Sequence, residues 1–415
     1  MAVLKPFKAY RPTPELVEQV AALPYDVMNS EEARIIVKGN PYSFLHVEKP
    51  EIDLESDANV NDINVYEKAR DNLYKMINEN VFVQDKEDSF YIYQQTWNGR
   101  TQTGLVGTAS IDDYLNNHIK KHESTRADKE LDRINHVDCT NANTGPIFLT
   151  YRKSDKINLI INTWMQKGKA LYDVQYDDGV SHKIWCINDN STINKLIHLF
   201  SEIKSFYIAD GHHRAASAVE VGKKRRIENP NYDGSEEFNF FLSVLFPDED
   251  LYIMDYNRVI RDLNEFSTAE FLELLKENFE VEEYNEIGQF KPYEKHMFGM
   301  YIDNQWYILK ALENSFDDNS PVDRLDASIL QNNILKPILG INDPRVDERI
   351  DFVGGIRGLA ELEQRVQDGM RIAFSLYPTN IKELMAVADS GNVMPPKSTW
   401  FEPKLRSGFF IHTLD

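Results

Sequence analysis

Residues 205–221 read SFYIADGHHRAASAVEV, and the structural period changes at Asp210-Gly211. SFYIA is short, aromatic and β-prone, whereas the alanine-rich AASAVEV follows a helix pattern. A strand that runs straight into a helix leaves the helix N-terminus open at the strand's end. Backbone N–H groups without intrahelical partners meet the positive end of the helix dipole there, and such a place holds anions. Gly211 permits a tight backbone and close approach of a ligand. Arg214 offers a planar fork for phosphate oxygens, and His212 and His213 add donors. Three potentially cationic side chains at the positive end of a dipole are unfavourable unless an anion compensates them. Asp210 can orient a histidine or hold a divalent cation. The plainer alternative is a turn capped by Asp210 with solvated histidines. Metal binding by both histidines is disfavoured, because adjacent helical side chains point about 100° apart.

Composition limits the rest. A chain of 415 residues exceeds one ordinary core and suggests two or three domains. Hydrophobic content of 42% and aromatic content of 11% are those of a globular protein. No apolar run approaches the roughly 18–20 residues that span a bilayer. The start, MAVLKPFKAYRPTP, lacks an apolar stretch of signal-peptide length, so a cytoplasmic protein without a membrane partner is expected. Cys139 and Cys186 make neither a disulfide framework nor a zinc spacing, and are expected to be ordinary half-buried residues. A formal charge of −21 disfavours a nucleic-acid partner, whose backbone is bound by neutralising phosphates with Lys and Arg. A local basic patch can still hold a small anion.

Along the chain, polar breaks fall at 50–64, 229–237, 313–323 and 341–351. VYEKARDNLYKMINENV (65–81) reads as an amphipathic helix, SFYIYQQTW and TGLVGTASI as strands, and DDYLNNHIKK as the beginning of a helix. Strands follow at GPIFLTYR and HKIWCIN, then a helix near INKLIHLFSEI, and FNFFLSVLF returns as a strand. Beyond 255 come a helix in STAEFLELLKENF, a hairpin turning at Asp303-Asn304, a helix in DASILQNNILKPIL and the strand IAFSLYP. Interleaving of this kind predicts an α/β or α+β protein with mixed sheets. PYDVMNSEEAR reads as a turn followed by a helix capped by Ser30, and its residue types suggest no chemistry.

IADGHHRAASA, together with PYDV (24–27), FLHVEKPE (44–51), KKHESTRADKELDR (120–133), NTGPIFLTYR (143–152) and PPKSTWFEP (395–403), resembles the domain of unknown function 1015 family nearly end to end. ADGHHR also resembles the nucleotide motif of the ParB/sulfiredoxin superfamily, in particular the DGHHR of the free L-serine kinases. The resemblance implies a ParB/sulfiredoxin-like nucleotide-binding core over 91–255. An N-terminal α/β region (1–90) and a C-terminal α/β domain with a docking tail (256–415) would flank it. Asp210, Gly211, His212, His213 and Arg214 match the phosphate motif of those kinases. His122-Glu123 resembles a His-Glu pair whose glutamate is the base, and MPPKSTWFEP resembles their C-terminal Pro-Lys-Thr-Thr-Arg segment. Trp400 stands where that segment has arginine, and Arg406 is the candidate substitute. Sulfiredoxin chemistry is disfavoured, since His212 occupies the place of its cysteine.

From residue types alone, KKHESTRADKELDRINH is a solvated helix capped by Ser124 or Thr125, with Arg126–Glu130 and Glu130–Arg133 surface pairs worth about 0.2–0.5 kcal/mol each. The resemblance instead makes Glu123 the general base beside His122. It leaves Arg126, Lys129, Lys397, Ser398 and Thr399 to contact substrate or phosphate. The expected activity is phosphoryl transfer from ATP or ADP, with Mg2+, to a small hydroxyl compound such as L-serine. The alternative is a non-catalytic nucleotide sensor.

Overall fold

A near-continuous apolar run such as FFLSVLF must be covered on both faces. In the computed structural model, which describes residues 2–55 and 60–415, it forms the strand Phe240–Pro247 inside a mixed sheet. Nine strands join this sheet among the described residues. Ile147–Tyr151 lies parallel to Phe240–Pro247 on one side, with Phe206–Asp210 antiparallel beyond it and the short Ile119–Lys120 at that edge. Arg100–Ser110, Phe90–Trp97, Ser181–Ile187 and Tyr172–Gln175 follow antiparallel on the other side. The chain is mixed α/β, as its alternating pattern predicts.

This sheet belongs to a compact unit made of Met1–Lys121, Thr125–Leu251 and Pro403–Asp415. Leu105, Leu149, Phe206, Ile208, Phe241 and Leu245 fill its main core together with Ala215, Ala218 and Val219 of the helix His212–Glu228. Full burial of a large apolar side chain contributes about 1.5–3 kcal/mol. The small residues of that helix let it lie close to its neighbours. A Cβ on Gly222 would stand 2.6 Å from the Phe238 carbonyl oxygen. A second cluster gathers Val20, Phe44, Leu45, Leu73 and Phe82 around Ile411. Phe409 and Phe410 are buried beside it, and His412–Thr413 pairs antiparallel with Ala142–Asn143.

The other unit comprises His122–Ser124 and Tyr252–Glu402. Its six-stranded sheet is antiparallel throughout, in the order Phe279–Glu283, Gln305–Ala311, Met297–Ile302, Ile372–Leu376, Tyr256–Ile260, Ile350–Gly354. The hairpin turns at Asp303-Asn304 with φ of 51° and 61°, the paired left-handed conformation that matches strand twist. Among the described residues no helix is long and apolar enough to cross a membrane.

Several local expectations need correction. Asn29, not Ser30, caps the helix Ser30–Ile36, in a reciprocal box with Glu32; the Ser30 hydroxyl donates to Glu51 instead. Neither Ser124 nor Thr125 caps the helix Ala127–Thr140, whose cap position is Arg126 without a side-chain bond. Arg126 pairs with Asp128 and Arg133 with Asp132, so the two surface pairs through Glu130 do not form; Thr125 donates to Glu130. DDYLNNHIKK holds only the short helix Ile111–Leu115 before the chain becomes strand at Ile119–Lys120. The helix expected over 326–339 is α only for Asp326–Leu330 and widens to a π turn over Gln331–Leu335. Cys139 and Cys186 are half-buried and free, as expected. Residues 56–59 of the break at 50–64 lie outside the described residues.

Candidate anion site

The strand Phe206–Asp210 shifts register against Ile147–Tyr151 between Ile208 and Asp210, and the chain then turns at Gly211 with φ 89°. Irregular pairing of this kind commonly re-aims a side chain beside a site. The helix His212–Glu228 opens with no side-chain cap. The Gly211 N–H donates to Asp210 Oδ1 at 2.8 Å, and Lys404 Nζ meets Asp210 Oδ2 at 2.8 Å. Burial pushes the Asp210 carboxyl up, but Lys404, the Gly211 N–H and His212 outweigh it and hold it at about 2. Asp210 is therefore an anion that tethers a lysine at the helix start.

Behind the turn lies a buried charge network. Arg214 Nη2 meets Glu48 Oε2 at 2.7 Å and Nη1 meets Oε1 at 3.2 Å. The Thr144 hydroxyl also donates to Glu48 Oε1, at 2.7 Å. Burial favours the neutral acid, yet the charge and hydrogen bonds of Arg214 keep Glu48 at about 2. Tyr25 lies between two cations, with Arg133 4.2 Å and Arg214 4.9 Å from its ring. Burial pushes its hydroxyl up to about 12. His136, whose Nε2–H donates to the Val47 carbonyl at 2.8 Å, is pushed down to about 4 by burial and by Arg133. Gly145 floors this network: a Cβ there would stand 2.4 Å from Arg214 Nη1.

Asp26, Pro146, Asp210, Gly211, Arg214 and Lys404 line a concavity that encloses about 340 Å3, open solvent at its mouth included. Arg214 thus borders the concavity while its fork is engaged by Glu48. His212 is buried at 7% exposure, and His213 Nε2 accepts the Arg126 backbone N–H at 3.1 Å. The helix starts at Ala127 and His212 are therefore linked through Arg126, although the side chains of Arg126 and Lys129 are exposed. A larger cleft, enclosing about 1060 Å3 with open solvent at its mouth included, lies elsewhere in the same unit, between Tyr42–His46 and the helix Ile63–Asn78, and none of residues 210–214 lines it.

The other expected site residues belong to the second unit. The His122 carbonyl accepts the Met394 N–H at 2.7 Å; the His122 side chain is buried and Glu123 half-buried. Lys397 is exposed with φ 57°, its ammonium 5.7 Å from the Tyr256 ring centre. The Ser398 hydroxyl donates to the Pro395 carbonyl at 2.6 Å, and its own carbonyl accepts from Thr379; Thr399 is half-buried. Trp400 packs over Gly354, where a Cβ would meet the ring at 2.6 Å. Arg406, the candidate substitute for the missing arginine, belongs to the first unit. It is buried against Asp178 at 2.5 Å, with the Tyr176 ring at 3.7 Å. Residue types did not single out Glu48, Tyr25, Asp26, Gly145 and Lys404. The first four sit inside FLHVEKPE, PYDV and NTGPIFLTYR, and Lys404 directly follows PPKSTWFEP.

Comparison with solved structures finds low-identity likenesses. A free serine kinase in complex with AMP is 14% identical, with a TM-score of 0.38, covering 72% of this chain and 86% of that one. A variant of a free serine kinase in complex with ADP is 16% identical, with a TM-score of 0.37, covering 72% and 87%. A conserved hypothetical protein from Pyrococcus furiosus is 14% identical, with a TM-score of 0.37, covering 73% and 93%. No curated protein matches the chain. The sequence model of the family described as protein of unknown function (DUF1015) matches residues 4–328, and the chain belongs to that family.

Proposed function

We propose that this chain is a phosphotransferase, moving a phosphoryl group from ATP or ADP to the hydroxyl of a small compound, with free L-serine the first acceptor to test. The observation that carries the reading is the concavity at the uncapped start of His212–Glu228, bordered by Asp210, Gly211, Arg214 and Lys404. Backbone donors, a helix dipole and a tethered ammonium suit the phosphates of a nucleotide. The ADGHHR motif supports the same assignment. Asp26 and Asp210 line this concavity, and carboxylates are a donor type that would fit Mg2+ carried in on phosphates; such an ion would supply charge neutralisation on the transferred group.

In this reading Glu123 takes the proton of the acceptor hydroxyl as the new P–O bond forms, and the shortened nucleotide leaves. His122 supports it, and Arg126, Lys129, Lys397, Ser398 and Thr399 are assigned to the acceptor or the moving phosphoryl. One observation favours a second reading, a nucleotide sensor without turnover. The turn, Glu48 and Lys404 are complete within a unit that does not include Glu123.

Incubation with L-serine, Mg2+ and either ATP or ADP, followed by mass spectrometry, tests the activity. O-phosphoserine with one donor is expected. Its absence with both, where nucleotide binding is demonstrated, eliminates the serine kinase. Glu123→Gln is expected to abolish turnover and spare binding; a sensor's response would be left unchanged by it.

A further inference from the structure

Arg258 sits on Tyr256–Ile260, a strand flanked by Ile350–Gly354 and Ile372–Leu376 in the second unit, and is 3% exposed. The chain has 67 acidic residues against 46 lysines and arginines, yet no carboxylate among the described residues pairs with this guanidinium. It donates to the Tyr256 carbonyl of its own strand and, at 3.3 Å, to the Pro396 carbonyl, and lies 5.4 Å from the Phe352 ring centre. Arg133 and Arg406, the other buried arginines among those described, each meet an aspartate, at 2.9 Å and 2.5 Å. Two carbonyls satisfy a minority of the five N–H donors of a guanidinium and neutralise none of its charge. Burial accordingly pulls its pKa down to about 10. A buried ion without a counter-charge is costly, and proteins that keep one commonly use it.

The surroundings add a second cation. Lys397, next to Pro396, holds φ 57°, a backbone state a lysine seldom adopts, and its ammonium lies 5.7 Å from the Tyr256 ring centre. The same ring meets Phe352 and Trp400 edge-on, at 6.0 Å and 5.1 Å. Two cations therefore converge on one tyrosine inside an aromatic wall that lowers the local dielectric.

We propose that Arg258 and Lys397 form a binding site in the second unit for a small oxyanion, a carboxylate or phosphate group, beside Tyr256. The planar fork takes two oxygens of the anion, one of which replaces the long bond to the Pro396 carbonyl, and Lys397 supplies a point charge. The site shares Lys397 with the acceptor contacts of the phosphotransfer reading, but its binding needs no nucleotide and no turnover, so the two can fail separately.

The test is calorimetric titration of the full chain at low ionic strength without nucleotide, with inorganic phosphate in one arm and succinate in the other. Both arms are repeated in a Lys404→Met background, in which binding at the first unit's turn is weakened, so that affinity unchanged by this substitution belongs to the second unit. Saturable binding in at least one arm is expected, with a matching rise in melting temperature. Arg258→Met should weaken it at least tenfold and cancel that rise, and Lys397→Gln should weaken it about threefold. Preference for one arm identifies the anion. Absence of binding in both arms, or unchanged affinity in Arg258→Met, overturns the proposal. If Arg258→Met does not fold, unchanged affinity in Lys397→Gln overturns it instead.

Discussion

Arg214 and Glu48 meet as a two-pronged pair, 2.7 Å and 3.2 Å between their facing atoms, with the glutamate side chain wholly buried. The guanidinium that borders the concavity is thus held in place by a buried carboxylate. Glu48→Gln leaves a buried guanidinium without its counter-charge and is expected to cost roughly 3–5 kcal/mol in urea denaturation. The folded carboxyl, at about 2, lies below its ordinary value of 4.5. Its stabilisation is present above the ordinary value and is lost as pH falls through about 2, so variant and parent should converge in strong acid. A gap that stays constant down to that pH contradicts the assignment.

Gly145→Ala drives a methyl group into the Arg214 guanidinium and the Ser407 hydroxyl, 2.4 Å and 2.8 Å away. Overpacking of this kind costs roughly 1–3 kcal/mol. Because the strain falls on Arg214, nucleotide affinity should drop along with the melting temperature. A variant that loses stability but binds nucleotide as before would show that the guanidinium's position does not matter to binding.

Lys404→Met removes the ammonium that holds Asp210 at about 2. Burial then acts on the carboxyl with less opposition, and its titration should move upward, as followed by carboxyl NMR. The depressed value stabilises the parent above its ordinary 3.8, and that contribution disappears as pH falls through about 2. The variant should lose acid tolerance across that window. Nucleotide should bind about tenfold more weakly, close to 1.4 kcal/mol.

Asp326 has the opposite sign. It is 7% exposed, accepts the His296 N–H at 3.0 Å, and is raised to about 7 by burial and the nearby Glu383, against Lys295. The folded state holds the proton more tightly than the unfolded chain, so stability erodes as pH rises from 3.8 through about 7. Asp326→Asn should cancel that loss, gaining on the order of 3 kcal/mol relative to the parent between pH 5 and pH 8. Parallel stability profiles for parent and variant would rule out the buried acid.

Elements set by short-range period were legible in the sequence. The run SFYIA, the alanine-rich helix after it and the Asp303-Asn304 turn each depend on neighbours within a few residues, and each formed. The supports of the candidate site were not legible in the same way. Glu48 and Arg214 are 166 positions apart and Lys404 and Asp210 194, separations that no periodicity reports. Caps failed for a different reason: Asn29 and Ser30 are both good capping residues, and only Glu32 reaching back selects between them.

The first unit is interrupted in sequence by nearly all of the second, since it resumes at 403–415 with Phe409, Phe410 and Ile411 buried. Synthesis runs from the N-terminus, so the nascent chain must emit residues 252–402 before those aromatics can seal the earlier sheet. Until then the half-built body exposes an oily gap to whatever surrounds the ribosome. Folding of the first unit is thus timed by completion of its neighbour, and a message cut short anywhere in that interval yields a product with neither unit finished.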